Sequence, residues 1–259
     1  MTEPRRRGTA PEVLVIPEQQ LNDFVTRLRQ SAGDNLESII LYGSAATAEF
    51  VPDHSDVNLL CLLRDTSYQS LTAIAPAVKW WNGKKQPAPL ILTRGELEHS
   101  ADVFAIEFTD MLQSHRVLYG SDPVANLKIP MQMHRAQVEY ELREKTILLR
   151  QHLLLAAGNE KHLWQLLLDS VSAFATLFRH ALIALGEPAP QFKRDAVEHL
   201  AARIPFDATA FLEILDIRHG RRDRKQLDVS DVVARYLAAV ERVTAAVDAM
   251  LDSSRPAGS

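Results

Sequence analysis

Between Leu41 and Leu60 two pairs of residues stand at a spacing that can do chemistry. Gly43 has no Cβ, so an anion can approach the backbone closely there. The amides after it open a helical turn, which makes an anion site, and Ser44 adds a hydroxyl donor. Asp56 and Asn58 lie two apart in the strand-like run Ser55–Leu63, so both project from one face. A carboxylate and an amide oxygen are hard donors of the kind magnesium takes. Side by side, the two pairs are what a magnesium–triphosphate complex needs.

The elements that must position these residues follow from periodicity. Leu21, Phe24, Val25 and Leu28 recur at helical spacing, which predicts a helix from Pro17 to Ser31 or Ala32, stopped by Gly33. Leu36–Tyr42 reads as a strand ended by Gly43-Ser44, and Ala45–Glu49 as a helical turn. Ser55–Leu63 reads as a buried second strand, Tyr68–Trp81 as a helix and Pro87–Leu92 as a third strand. Gly95–Ser100 reads as a short helix, and Val103–Met111 as a fourth strand. Strands separated by helices imply an α/β layer with crossover connections. From Pro130 onward the pattern is helical throughout. Helices are expected over Met131–Ala157, Glu160–Leu185, Ala196–Arg203, Ala208–Arg218 and Ser230–Asp252, packed as an antiparallel bundle. The expected domains are residues 12–128 and 129–253.

Gly43-Ser44, a spacer of about ten residues and then Asp56-Val57-Asn58 resemble the signature of the polymerase-β-like nucleotidyltransferase superfamily, in which Gly-Ser precedes Asp-x-Asp. The likeness covers about residues 17–125. The helical half is similar in architecture to the C-terminal bundles of kanamycin-type nucleotidyltransferases. The resemblance implies an α/β (α+β) N-terminal domain with a mixed sheet and an all-α C-terminal bundle. It also implies Mg2+ and a nucleoside triphosphate (NTP) as substrate, whose nucleoside monophosphate passes to an unidentified acceptor. Gly43 and Ser44 would bind the nucleotide, and Asp56 would bridge the metals. Position 58 would share one ion. A third acid, on a later strand, would be a metal ligand or base.

Two candidates for that acid lie on the fourth expected strand. Glu107 would share a face with Val103, Ala105 and Thr109, and Asp110 with Phe104, Ile106 and Phe108. The Ala/Thr face leaves room for substrate, which favours Glu107. Asp110 stays open if a bulge intervenes. The chain departs from the family at position 58, where Asn replaces Asp and removes one negative charge. Ala48 also stands about where a further glycine is often found. A degenerate fold that binds nucleotide or a protein partner without turnover is therefore the alternative.

Composition sets the remaining bounds. The 259 residues carry a formal charge of -4, against a surface that grips nucleic acid everywhere but compatible with a local basic cleft. The densest basic run is Arg218–Lys225, read first as a solvated loop. Cys61 is the single cysteine, so no intrachain disulfide or cysteine-based zinc site forms. No apolar run follows the basic start at once, so a secretory leader is not expected, and charges interrupt the longest apolar helices. The expectation is a cytoplasmic protein that does not span a membrane, with frayed ends at Met1–Pro11 and Ser253–Ser259. Arg194 and His199 match the Arg-x4-His spacing of some helical ribonuclease domains, and Trp80-Trp81 before Lys84-Lys85 could stack on bases. Both are read first as ordinary helix positions.

Overall fold

The computed structural model describes residues 18–52 and 54–252. The expected frayed ends, Pro17 at the first helix start and the 12–17 edge of the first domain lie outside the described residues. The chain forms two compact units. One takes in residues 18–93 and Ser114–Asp122; the other takes in Arg94–Gln113 and residues 123–252. The chain thus passes between units three times, where the sequence pattern suggested one boundary at 128/129.

The first unit is a four-stranded mixed sheet with two helices. Helix α1 (Glu18–Ala32) leads into β1 (Leu36–Tyr42), then β2 (Asn58–Leu63), α2 (Tyr68–Asn82) and β3 (Leu90–Leu92). Strand order is β3-β2-β1 with a fourth strand beyond β1. β1 runs antiparallel to β2, and β2 parallel to β3 with α2 as the crossover. One sheet face packs on the helices: Ile39 and Leu41 of β1 and Leu59, Cys61 and Leu63 of β2 meet Leu21, Phe24 and Leu28 of α1 and Ile74, Ala77 and Trp81 of α2. Phe24 and Trp81 stack at 4.8 Å between centroids. Burial pushes the Cys61 thiol above its ordinary pKa, so it stays a thiol. Ser38, Ile40, Tyr42, Asn58, Leu60 and Leu62 alternate onto the opposite face.

The expected fourth strand is a correction. After α3 (Arg94–His99), residues 105–113 form helix α4 (Ala105–Gln113), and it belongs to the second unit. Ala105, Phe108 and Met111 are buried at a three-residue interval, which is helical, while Glu107 is exposed. The alternating Phe104, Ile106 and Phe108 fit a period of two as well, and so short a run does not separate the periods. The fourth strand is instead β4 (His115–Gly120), antiparallel to β1 at the sheet edge. It closes on Gly120, at φ +78°, where an added Cβ would stand 1.9 Å from the Glu37 carbonyl oxygen.

The second unit is all-helical. Beyond α3 and α4 it contains α5 (His134–Ala156), α6 (Glu160–Ala184), α7 (Lys193–Arg203), α8 (Thr209–Arg218) and α9 (Val229–Asp252). α6 is its axis. Trp164, Leu167, Val171, Phe174, Phe178 and Ala181 are all buried against neighbours that include Leu142, Val197, Phe211 and Tyr236. Phe211 stacks on Tyr236 at 4.4 Å and Phe178 tilts onto Phe211 at 4.7 Å. Among the described helices α6 alone is long and apolar enough to cross a membrane, but most of its apolar stretch is buried in this bundle.

Candidate functional site

The antiparallel register of β1 and β2 builds the corner that the sequence marks. Tyr42 pairs with Asn58, so Gly43, the next residue, turns beside Asn58. Gly43 has φ +74°, in the left-handed region that glycine adopts without strain. An added Cβ would lie 3.2 Å from Asn58 Nδ2. The residue is required twice over, by its dihedral and by the close approach. From it Gly43–Ala46 makes a single 3-10 turn. This turn is too short to carry a helix dipole of any weight, and Ser44 is half-buried.

Hydrogen bonds brace the loop that joins the strands. Thr47 Oγ1 donates to the Ser44 carbonyl at 3.0 Å and accepts from Glu49 N at 3.1 Å. Val51 N donates to Ser55 Oγ at 3.1 Å, and Ala45, Phe50 and Val51 are buried. Ser55 is therefore a loop brace. Val57 is 2% exposed, with its side chain in the helix-side core. Asp56 is exposed and precedes β2, which opens at the half-buried Asn58, so the strand starts three residues later than its expected Ser55. Val57 N donates to Gln86 Oε1 at 3.0 Å, which pins the backbone between the two candidate ligands. Gln86 is absent from the sequence reading, because a glutamine ahead of a strand carries no periodic or motif signal.

A second residue found only in three dimensions is His115. β4 sets it opposite Tyr42, and Tyr42 lies opposite Asn58, so the three share one row across the sheet. Its Nε2 lies 2.9 Å from Asp122 Oδ2.

Glu107 and Asp110 do not lie on this sheet. Gln137 Nε2 donates to Glu107 Oε2 at 3.3 Å, within the second unit. Asp110 is the terminus of an interior chain of bonds. Arg179 Nη2 donates to its Oδ2 at 2.7 Å, and His180 Nε2 lies 2.9 Å from its Oδ1. His180 Nδ1 in turn lies 2.8 Å from His134 Nε2. Because an ionised carboxylate only accepts, His180 donates to it from Nε2, and its Nδ1 shares the second bond with His134. Burial raises the Asp110 carboxyl, but the bond and charge of His180 and the Arg179 guanidinium outweigh it and hold it below its ordinary value. Burial, with His180 beside it, lowers His134 to about 4. This is the environment of a structural ion cluster.

Arg194 pairs with Asp216 and Glu198, and His199 is exposed. Trp80 stacks under Arg27 and Lys84. In the Arg218–Lys225 run, Arg218 Nη1 donates to the Leu168 carbonyl and Arg222 pairs with Glu213. Each of these is engaged in packing within its own unit. Among the described residues no three His, Cys, Asp or Glu side chains gather as a metal site.

No family model matches the sequence, and no curated protein matches it. Among solved structures the chain is similar to spectinomycin adenyltransferase from Enterococcus faecialis, determined with ATP and spectinomycin. The TM-score is 0.53 at 19% identity, over 87% of this chain and 98% of that one. The chain shares the fold of that adenyltransferase. A mixed-sheet α/β unit and a helical unit are the architecture that the Gly43-Ser44 and Asp56 motif implied. At this identity the likeness extends to the fold and stops there.

Proposed function

We propose that the first unit binds a nucleoside triphosphate with magnesium at the Gly43–Asn58 corner. The protein then acts as a nucleotidyltransferase, passing a nucleoside monophosphate to a small-molecule acceptor. The observation that carries this reading is the left-handed Gly43 set against Asn58, with Asp56 exposed two residues before it, in a fold shared with an adenyltransferase solved with ATP. The donor set fits one magnesium ion, through the Asp56 carboxylate and the Asn58 amide oxygen. Bound there, magnesium supplies charge neutralisation on the phosphates and the leaving pyrophosphate. The chain's own part is positional. Gly43 admits a phosphate to the backbone, Ser44 donates to a phosphate oxygen, and Gln86 fixes the backbone between Asp56 and Asn58. Glu107 stands on a helix of the second unit and accepts from Gln137. The buried apolar stretch of α6 fits a protein that works in solution.

Position 58 supports a second reading, a nucleotide binder without turnover, because the neutral amide leaves Asp56 as the lone charge of the pair. Two measurements separate the readings. The first is thermal unfolding with each of the four ribonucleoside triphosphates, with and without magnesium. The second is transfer of α-phosphate label to acceptor pools that include aminocyclitol compounds. Magnesium-dependent stabilisation together with label transfer abolished in Asp56→Ala supports the transferase. Stabilisation without transfer supports the binder. No stabilisation by any triphosphate removes both.

A further inference from the structure

Helix α5 exposes a row of large apolar side chains: Tyr140, Ile147, Leu148, Leu154 and Leu155, the last two 80% and 83% exposed. Positions 140, 147 and 154 repeat every seven residues, and 148 and 155 follow at the same interval, so they form one stripe along the helix. Isolated surface leucines are ordinary, but a contiguous stripe over four turns marks a contact surface. Its polar members are Glu144 and Gln151, both exposed.

We infer that this stripe is the two-fold interface of a homodimer in which α5 packs antiparallel on α5 of a second copy. The sequence of the stripe is complementary to its own reverse. With the axis between Ile147 and Leu148, Ile147 meets Leu148 of the second copy and Tyr140 meets Leu155. Glu144 meets Gln151, whose amide donates to the carboxylate. Leu154 falls against the methylene stem of Glu141, whose carboxylate is held by Lys145 at 3.1 Å. Shifting the register by one turn sets Glu144 against isoleucine or leucine and buries its charge without a donor, which is costly. A match of apolar to apolar and acid to amide under one symmetry operation is what an isologous interface requires. An unrelated partner would not need it. Beside Leu148 an open groove of about 110 Å³, lined also by Leu149, Leu166 and Phe174, can seat the Ile147 side chain of the second copy.

Sedimentation velocity and light scattering on the full chain test this. The expected mass is twice 29.0 kDa, and Ile147→Glu and Leu154→Glu should each shift the protein to monomer with an unchanged thermal midpoint of the monomer fold. Register is tested by oxidising the double variant Tyr140→Cys/Leu155→Cys. The two positions lie about 22 Å apart along one helix, too far to bridge within a chain. A covalent dimer is therefore expected from the double variant and none from a Glu198→Cys control; native Cys61 is buried and silent. A wild-type monomer at every concentration overturns the inference, whatever else covers the stripe. So does a dimer that survives Ile147→Glu, or a double variant that fails to cross-link.

Discussion

Three residues at the corner separate shape from charge. Gly43→Ala places a methyl 3.2 Å from Asn58 Nδ2 at a dihedral that disfavours any side chain. The expected cost is about 1–3 kcal/mol of stability, read by chemical denaturation, together with weaker triphosphate binding as Asn58 is displaced. Asp56→Ala leaves the fold intact, because the side chain is exposed, and should lower any transfer rate by roughly 100-fold or more. An unchanged rate would take the carboxylate out of the reaction. Asn58→Asp restores the second charge two residues from Asp56. Tighter magnesium binding, read as a lower magnesium midpoint in the thermal-shift titration, is the expected result. A variant with an unaltered midpoint would show that the side chain at 58 faces no cation. Gly43-Ser44 and Asp56 were legible at this scale because motif spacing is a property of the chain. Gln86 and His115 were not, since their partners come from strand register.

Among the elements, β4 and α4 are where the sequence pattern and the structure part. β4 depends on Gly120, whose added Cβ would overlap the Glu37 carbonyl at 1.9 Å. Gly120→Ala should therefore cost more than the ordinary ~1–3 kcal/mol of a strained position and separate the edge strand. Faster hydrogen exchange of the Ile39 and Leu41 amides would report that, and their unaltered protection would count against it. α4 is locked to α5 and α6 by Asp110, Arg179, His180 and His134. His134 lies near 4 when folded against an ordinary 6.5, so the unfolded chain binds the extra proton between those values. Stability from this group is whole above about pH 6.5 and falls as pH drops toward 4, by up to about 3 kcal/mol. The lowered Asp110 adds a further loss only at still lower pH. His134→Gln keeps a hydrogen-bonding group beside His180 without the titration. Denaturation midpoints of that variant should be flat between pH 7 and 5, whereas the native chain should lose stability; parallel curves would dismiss the mechanism.

Over the whole molecule, the chain weaves between its units, because residues 94–113 join the helical unit before β4 returns to the sheet. A ligand that binds the sheet unit alone stabilises through mass action, about 2.7 kcal/mol at a concentration 100-fold above its dissociation constant. Hydrogen exchange with a magnesium triphosphate should accordingly show new protection at the β1–β2 corner, residues 41–59. Protection confined to the helical unit would place the ligand elsewhere. The Arg194 and His199 spacing has no matching site, since Arg194 is spent on Asp216 and Glu198.

What the sequence alone determined is local. Helices with a clear 3.6-residue stripe, the strand Leu36–Tyr42 and the Gly43-Ser44 and Asp56 motif all rest on neighbours a few residues away, and periodicity records those. Tertiary structure decided the rest: that residues 105–113 coil into the bundle, that the His115–Gly120 run becomes an edge strand, and that the half-buried Asp110 joins an ion cluster. A nine-residue apolar segment satisfies its backbone equally well as helix or strand, and only the partner surface that buries its side chains selects between them.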